Sequence, residues 1–95
     1  MHAAVRKYRV TEVDLLVRKV EAEFAEQVSQ VEGFVGYYVI DGGDGTVASV
    51  TVGETAAAVE ESNRLAADWV RSSAADLIKA PPEVIGGEVR VRLER

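Results

Sequence analysis

The spacing of apolar residues divides the chain into six segments. Val13, Leu16, Val17, Val20, Phe24, Val28 and Val31 recur at the interval of one helix face, while Arg18, Lys19, Glu21, Glu23 and Glu26 take the opposite side. Thr11, with Asp14 three residues on, reads as a capping box opening this helix, and Glu12 and Asp14 suit the positive end of its dipole. A second helical stripe begins at Glu54-Thr55 and runs through Val59, Ser62, Asn63, Ala66, Trp69, Val70, Ser73 and Leu77, with Leu65 and Ile78 at its margins. About 23 residues of helix span roughly 35 Å, against about 23 Å for a strand of seven. The second helix should therefore overhang a small sheet or break, with Ser72-Ser73 the weakest point and Pro81-Pro82 barring continuation.

The remaining segments alternate with period two. Ala3–Val10 puts Ala4, Arg6, Tyr8 and Val10 on one face and Ala3, Val5, Lys7 and Arg9 on the other. Gly33–Gly53 reads as a hairpin, because Asp-Gly and Gly-Gly steps supply the positive φ that tight turns need. Its first strand places Phe34, Gly36, Tyr38 and Ile40 on one side and Val35, Tyr37 and Val39 on the other. Both sides are apolar, so both should be covered. Two helices cover one face of a small sheet, and a second copy of the sheet is the expected cover for the other. The return strand is Thr46–Val52. A last strand is expected at Glu88–Glu94, where Val89, Val91 and Leu93 alternate with Glu88, Arg90, Arg92 and Glu94.

Strand, helix, strand, strand, helix, strand is the split βαβ order of the ferredoxin-like α+β fold. It predicts one domain over residues 1–95, with a four-stranded antiparallel sheet in the order 4-1-3-2 and both helices on one face. Sixteen acids against eleven bases give a net charge of −5, which argues against nucleic acid as a partner. The absence of cysteine excludes disulfides, thiol nucleophiles and thiolate metal sites. No apolar run reaches the roughly 20 residues of a membrane helix and no leader is evident, so a cytoplasmic protein without membrane contact is expected. The turn glycines lack the lysine and following helix of a phosphate loop. Asp41 and Asp44 are too few for a calcium loop.

Glu32-Gly33-Phe34 at the end of a long amphipathic helix, Tyr37-Tyr38 in a strand, Gly43-Asp44-Gly45 in a hairpin and Ala66–Val70 in a helix resemble the antibiotic-biosynthesis-monooxygenase-like family of dimeric α+β barrels. The resemblance covers nearly the whole chain. It implies a homodimer formed through the helix-free sheet face, with the last strand or C-terminal segment as the element placed to cross to the partner. It also implies a hydrophobic aromatic ligand, of quinol or polyketide type, held between helices and sheet. Two functions follow as expectations: a cofactor-independent monooxygenase, or a non-catalytic small-molecule-binding dimer. The matching side chains are Asn63 and Trp69 on the second helix, Tyr8, Tyr37 or Tyr38, and Arg6 or Arg90 as a source of positive potential. The Asn63-to-Trp69 spacing of six is wider than in the characterised oxygenases. Haem degradation in this family uses a histidine of the second helix; here the one histidine is His2, expected to be a frayed surface residue. No cofactor or metal is therefore expected. Trp69 and Asn63 are expected to touch one pocket between the second helix and the sheet. A polar amide on an otherwise apolar stripe needs hydrogen-bond partners when buried.

Overall fold

The computed structural model describes residues 1–95. It contains β1 (His2–Arg9), α1 (Val13–Lys19), a π-helical turn (Val20–Phe24), α2 (Ala25–Ser29), β2 (Phe34–Asp41), β3 (Thr46–Gly53), α3 (Ala56–Trp69), a second π-helical turn (Val70–Ala74), a 3₁₀ turn (Ala75–Leu77) and β4 (Glu83–Glu88). The strands form one antiparallel sheet in the order β2-β3-β1-β4, the predicted 4-1-3-2. The core lies between the sheet and the helices and joins Tyr8, Val10 and Val47 to Leu16, Val20, Phe24, Val28 and Trp69.

Period-two burial on β1 and β3 sets the two faces. Ala4, Arg6 and Tyr8, opposite Thr51, Ser49 and Val47, point under the helices. Ala3, Val5 and Lys7, opposite Val52, Val50 and Ala48, point away. The hairpin turn is held by Asx bonds: Gly43 N–H donates to Asp41 Oδ1 at 2.8 Å and Thr46 N–H to Asp44 Oδ1 at 3.2 Å. Gly43 and Gly45 take φ of 88° and 85° there.

Four local expectations are corrected. Thr11 does not cap the first helix. Glu12 holds the cap position without a side-chain bond, and the Thr11 hydroxyl reaches the Leu77 carbonyl at 3.5 Å. On β2 a register shift between Phe34 and Gly36 turns Phe34 to the same side as Tyr37 and Val39, against the core, and leaves Val35, Tyr38 and Ile40 exposed. His2 is not frayed: it opens β1, paired with both Gly53 and Glu88. The last strand is Glu83–Glu88, not Glu88–Glu94, because β4 pairs along β1 and β1 runs out at the pair His2–Glu88. Gly86-Gly87 lies within that strand, with Gly86 opposite Ala4. Beyond one further bond, from Val89 N–H to Met1 O at 2.9 Å, residues 90–95 have no strand of their own chain to join.

The break in the second helix falls where predicted. Thr55 caps its start, accepting from Ala58 N–H at 3.1 Å. The α-helix ends at Trp69 and passes into the π turn that holds Ser72-Ser73.

Candidate functional site

A small apolar cavity of about 30 Å³ lies between sheet and helices. Tyr8, Tyr37, Val39 and Ser49 form its floor, and Val20, Phe24, Trp69 and Val70 are among the residues of its roof. Val20 and Phe24 bound the first π turn, and Val70 opens the second directly after Trp69. Both helices thus depart from α geometry at the level of the cavity, a distortion that recurs at functional sites. Phe24 stands between the other rings. Its centroid is 5.6 Å from Tyr37 in an edge arrangement and 5.6 Å from Trp69 at a 40° tilt.

Trp69 is buried, with its indole N–H donating to Glu23 Oε1 at 3.2 Å. Lys19 Nζ lies 3.6 Å from the other oxygen of Glu23. The indole is thereby fixed across the gap between the two helices.

Arg6 is the buried cation beside this cavity. Its Nε donates to Tyr8 Oη at 2.7 Å, and its guanidinium carbon lies 5.7 Å from the Tyr8 ring centroid. It joins no ion pair, whereas Lys7 lies 3.8 Å from Glu83 and Arg9 donates to Thr46 Oγ1 at 2.9 Å. A buried guanidinium normally has a carboxylate partner, because its desolvation is otherwise uncompensated. Arg6 pairs with Ser49 across the strands, and both lie close to the Tyr37 phenol. Burial pushes the Tyr37 hydroxyl up to about 12, with Tyr8 adding to the rise and Ser49 and Arg6 opposing it. Tyr37 is therefore a neutral hydrogen-bond donor at physiological pH.

The predicted site residues separate. Arg6, Tyr8, Tyr37 and Trp69 converge on the cavity or its edge. Tyr38 projects from the opposite sheet face, 60% exposed. Arg90 lies in the C-terminal tail, with Nε 3.5 Å from Glu88. Asn63 opens into a different recess from Trp69. The spacing of six accounts for this: at about 100° per residue the two side chains diverge by roughly 120° around the helix. Ser49, Phe24 and Glu23 were not singled out from the sequence. Ser49 carried a signal, as a hydroxyl between Val47 and Thr51 on a Val-rich strand; Glu23 looked like any surface acid.

Beside the cavity an open groove of about 490 Å³ shares Val20, Tyr37 and Val39 with it and is rimmed by Asp14, Glu21 and Asp41. Nowhere does the molecule group three or more His, Asp or Glu side chains for a metal.

Comparison with solved structures gives matches across the whole chain. A monooxygenase from the ActVA-Orf6 gene of Streptomyces coelicolor, solved with the ligand nanaomycin D, superposes with a TM-score of 0.78 at 20% identity, covering 99% of this chain and 91% of that one. The chain has the fold of the antibiotic biosynthesis monooxygenases. SnoaB, a cofactor-independent oxygenase from Streptomyces nogalater, matches with a TM-score of 0.75 at 16% identity, over 99% of this chain and 97% of that one. NE2512 of Nitrosomonas europaea, a protein of unknown function, is as similar in fold, with a TM-score of 0.78 at 14% identity over 99% and 93% of the two chains. No protein-family model matches the sequence, and no curated protein is significantly similar to it. The fold therefore groups this chain with oxygenases and with proteins of unassigned reaction alike.

Proposed function

We propose that this protein is a cofactor-independent monooxygenase of electron-rich aromatic hydroxy compounds, with the reacting ring seated in the apolar cavity under Trp69 and Phe24. The observation that carries this reading is Arg6, a buried cation without a carboxylate, beside two tyrosines at the floor of an otherwise apolar cavity. The same burial that holds Tyr37 neutral would oppose ionisation of a bound phenol, and only a group close to Arg6 is compensated. The substrate class is thus a phenol more acidic than tyrosine, reacting as its anion. The reaction balances without added reductant: the substrate supplies all four electrons, two as the ring carbon opposite the hydroxyl bonds to dioxygen and two as the resulting ring hydroperoxide loses water, so that one oxygen atom stays on the ring as a quinone carbonyl and the other leaves as water. Arg6 and the tyrosine hydroxyls would hold the negative charge in a dry pocket. The neighbouring acid-rimmed groove provides the approach. A 30 Å³ cavity is far smaller than the roughly 300 Å³ of an ordinary ligand pocket, so the π turns must move apart to admit a ring.

Binding tests this reading directly, because Trp69 is the one tryptophan. Its fluorescence should respond saturably to dihydroxynaphthalenes. Arg6→Met should weaken that response by about tenfold or more, the scale of a charge-assisted hydrogen bond, while leaving thermal stability unchanged or higher. Equal binding by Arg6→Met would remove the anion site. Saturable binding with no oxygen consumption would leave a binding protein rather than an oxygenase.

We further infer that two copies pack through the helix-free face. Val5, Tyr38, Ile40, Val50 and Ile85 form an apolar surface there, with Ile85 73% exposed. Val91 and Leu93 in the tail are more exposed still. Patches of this kind are uncommon on monomers, and the tail's alternating pattern fits a strand completed on a second copy.

A further inference from the structure

Trp69 is the wall between two spaces. It lines both the apolar cavity of about 30 Å³ and a polar recess of about 360 Å³, and no other residue borders both. Glu23, Gln27, Leu65, Asp68, Ser72 and Ser73 complete the recess.

One hydrogen bond fixes that wall. Trp69 Nε1–H donates to Glu23 Oε1 at 3.2 Å, and Lys19 Nζ lies 3.6 Å from Glu23 Oε2. Glu23 belongs to the first π turn and Trp69 directly precedes the second, so the bond ties together the two places where the helices leave α geometry. The other carboxylate of the recess is engaged, since Asp68 pairs with Arg64 and Arg71. An indole N–H only donates, so a buried one needs an acceptor. Glu23 supplies it from a side chain that is 42% exposed, where water can replace either partner. The bond is thus a clasp that opens without leaving a polar group dry.

An ordinary ligand pocket starts at about 300 Å³. The cavity alone is far too small; the cavity joined to the recess is not. We propose that Glu23 is the positioning residue of this site. Bonded to Trp69 it keeps the cavity closed, and release of the bond lets the indole swing, so that cavity and recess become one site for a fused aromatic ring. The acid-rimmed groove gives the approach, and the recess gives the room. This inference rests on the reading of the cavity as an aromatic site.

The test compares two variants at this partly exposed position. Glu23→Ala removes the acceptor, whereas Glu23→Gln keeps it and loses only the charge. The indole N–H gives a single NMR signal, because the chain has one tryptophan. Its exchange with water should quicken about tenfold in Glu23→Ala and stay near the wild-type rate in Glu23→Gln. Binding of a dihydroxynaphthalene, measured without oxygen, should be about tenfold tighter in Glu23→Ala, because the closed state no longer competes, and close to wild type in Glu23→Gln. A side chain that merely supported the fold would act in the opposite sense, and its loss would weaken binding. Unchanged indole exchange in Glu23→Ala, or binding by that variant no tighter than wild type, would overturn the role of Glu23 and leave the oxygenase reading intact. Failure of both wild type and Glu23→Ala to bind would overturn the aromatic site and this inference with it.

Discussion

Tyr37 lines the cavity, Arg6 lies beside it, and opposing influences act on the Tyr37 phenol. Burial favours the neutral phenol, and the guanidinium opposes it. The balance has a measurable consequence for stability. Tyr37 rises from 10.0 to about 12 on folding, so its contribution is fully present below pH 10 and is lost as pH rises from 10 towards 12, where only the unfolded chain readily ionises. Over that window wild-type stability should fall by up to about 3 kcal/mol relative to Tyr37→Phe, as read from paired denaturant curves. Parallel curves would mean that Tyr37 ionises as freely in the folded chain as in the unfolded one. Residue identities were legible in the sequence only in part. Trp69 declared itself as a large ring on an apolar stripe, and Arg6 shared its strand face with Tyr8. Which of the three nearby cations would be buried depended on which face of β1 the helices covered.

At the level of elements, α3 approaches the sheet closely where β3 ends. A Cβ on Gly53 would lie 2.9 Å from Ala58 Cβ and 3.3 Å from Val59 Cγ2, closer than side chains pack. Both groups are rooted in backbone, so the start of α3 would have to lift. Gly53→Ala should therefore destabilise by about 1–3 kcal/mol, whereas Gly87→Ala, whose Cβ meets nothing, should lie within about 0.5 kcal/mol of wild type. Denaturant midpoints decide, and equal midpoints would mean that the helix is not seated on the glycine. Helix stripes, the hairpin and the break near Ser72-Ser73 were readable because period and turn chemistry are local. The bulge after Phe34 and the end of β4 were not. The first is set by seating Phe34 with Tyr37 and Val39, the second by how far β1 extends to pair with it. The repeat at Val89, Val91 and Leu93 is strand-like but has no partner within the chain.

For the whole molecule, one sheet face is packed under helices and the other is apolar and open. The homodimer inference predicts a sedimenting mass near twice the 10.3 kDa chain. Val50→Arg, which would place an unpaired charge in the centre of that face, should give monomers or unfolded chain. A stable wild-type monomer at micromolar concentration would refute the interface. The central claim, that the Arg6 cavity lets an aromatic anion react with dioxygen without a cofactor, is tested most directly by oxygen uptake with labelled dioxygen. Chelator-treated protein would be given dihydroxynaphthalenes with a free ring position opposite one hydroxyl. The account predicts uptake above the protein-free rate with no added flavin, haem or metal, one labelled oxygen atom in each quinone formed, and a loss of about 100-fold in Arg6→Met. Uptake that requires an added cofactor, or no uptake with any member of the panel, would contradict it.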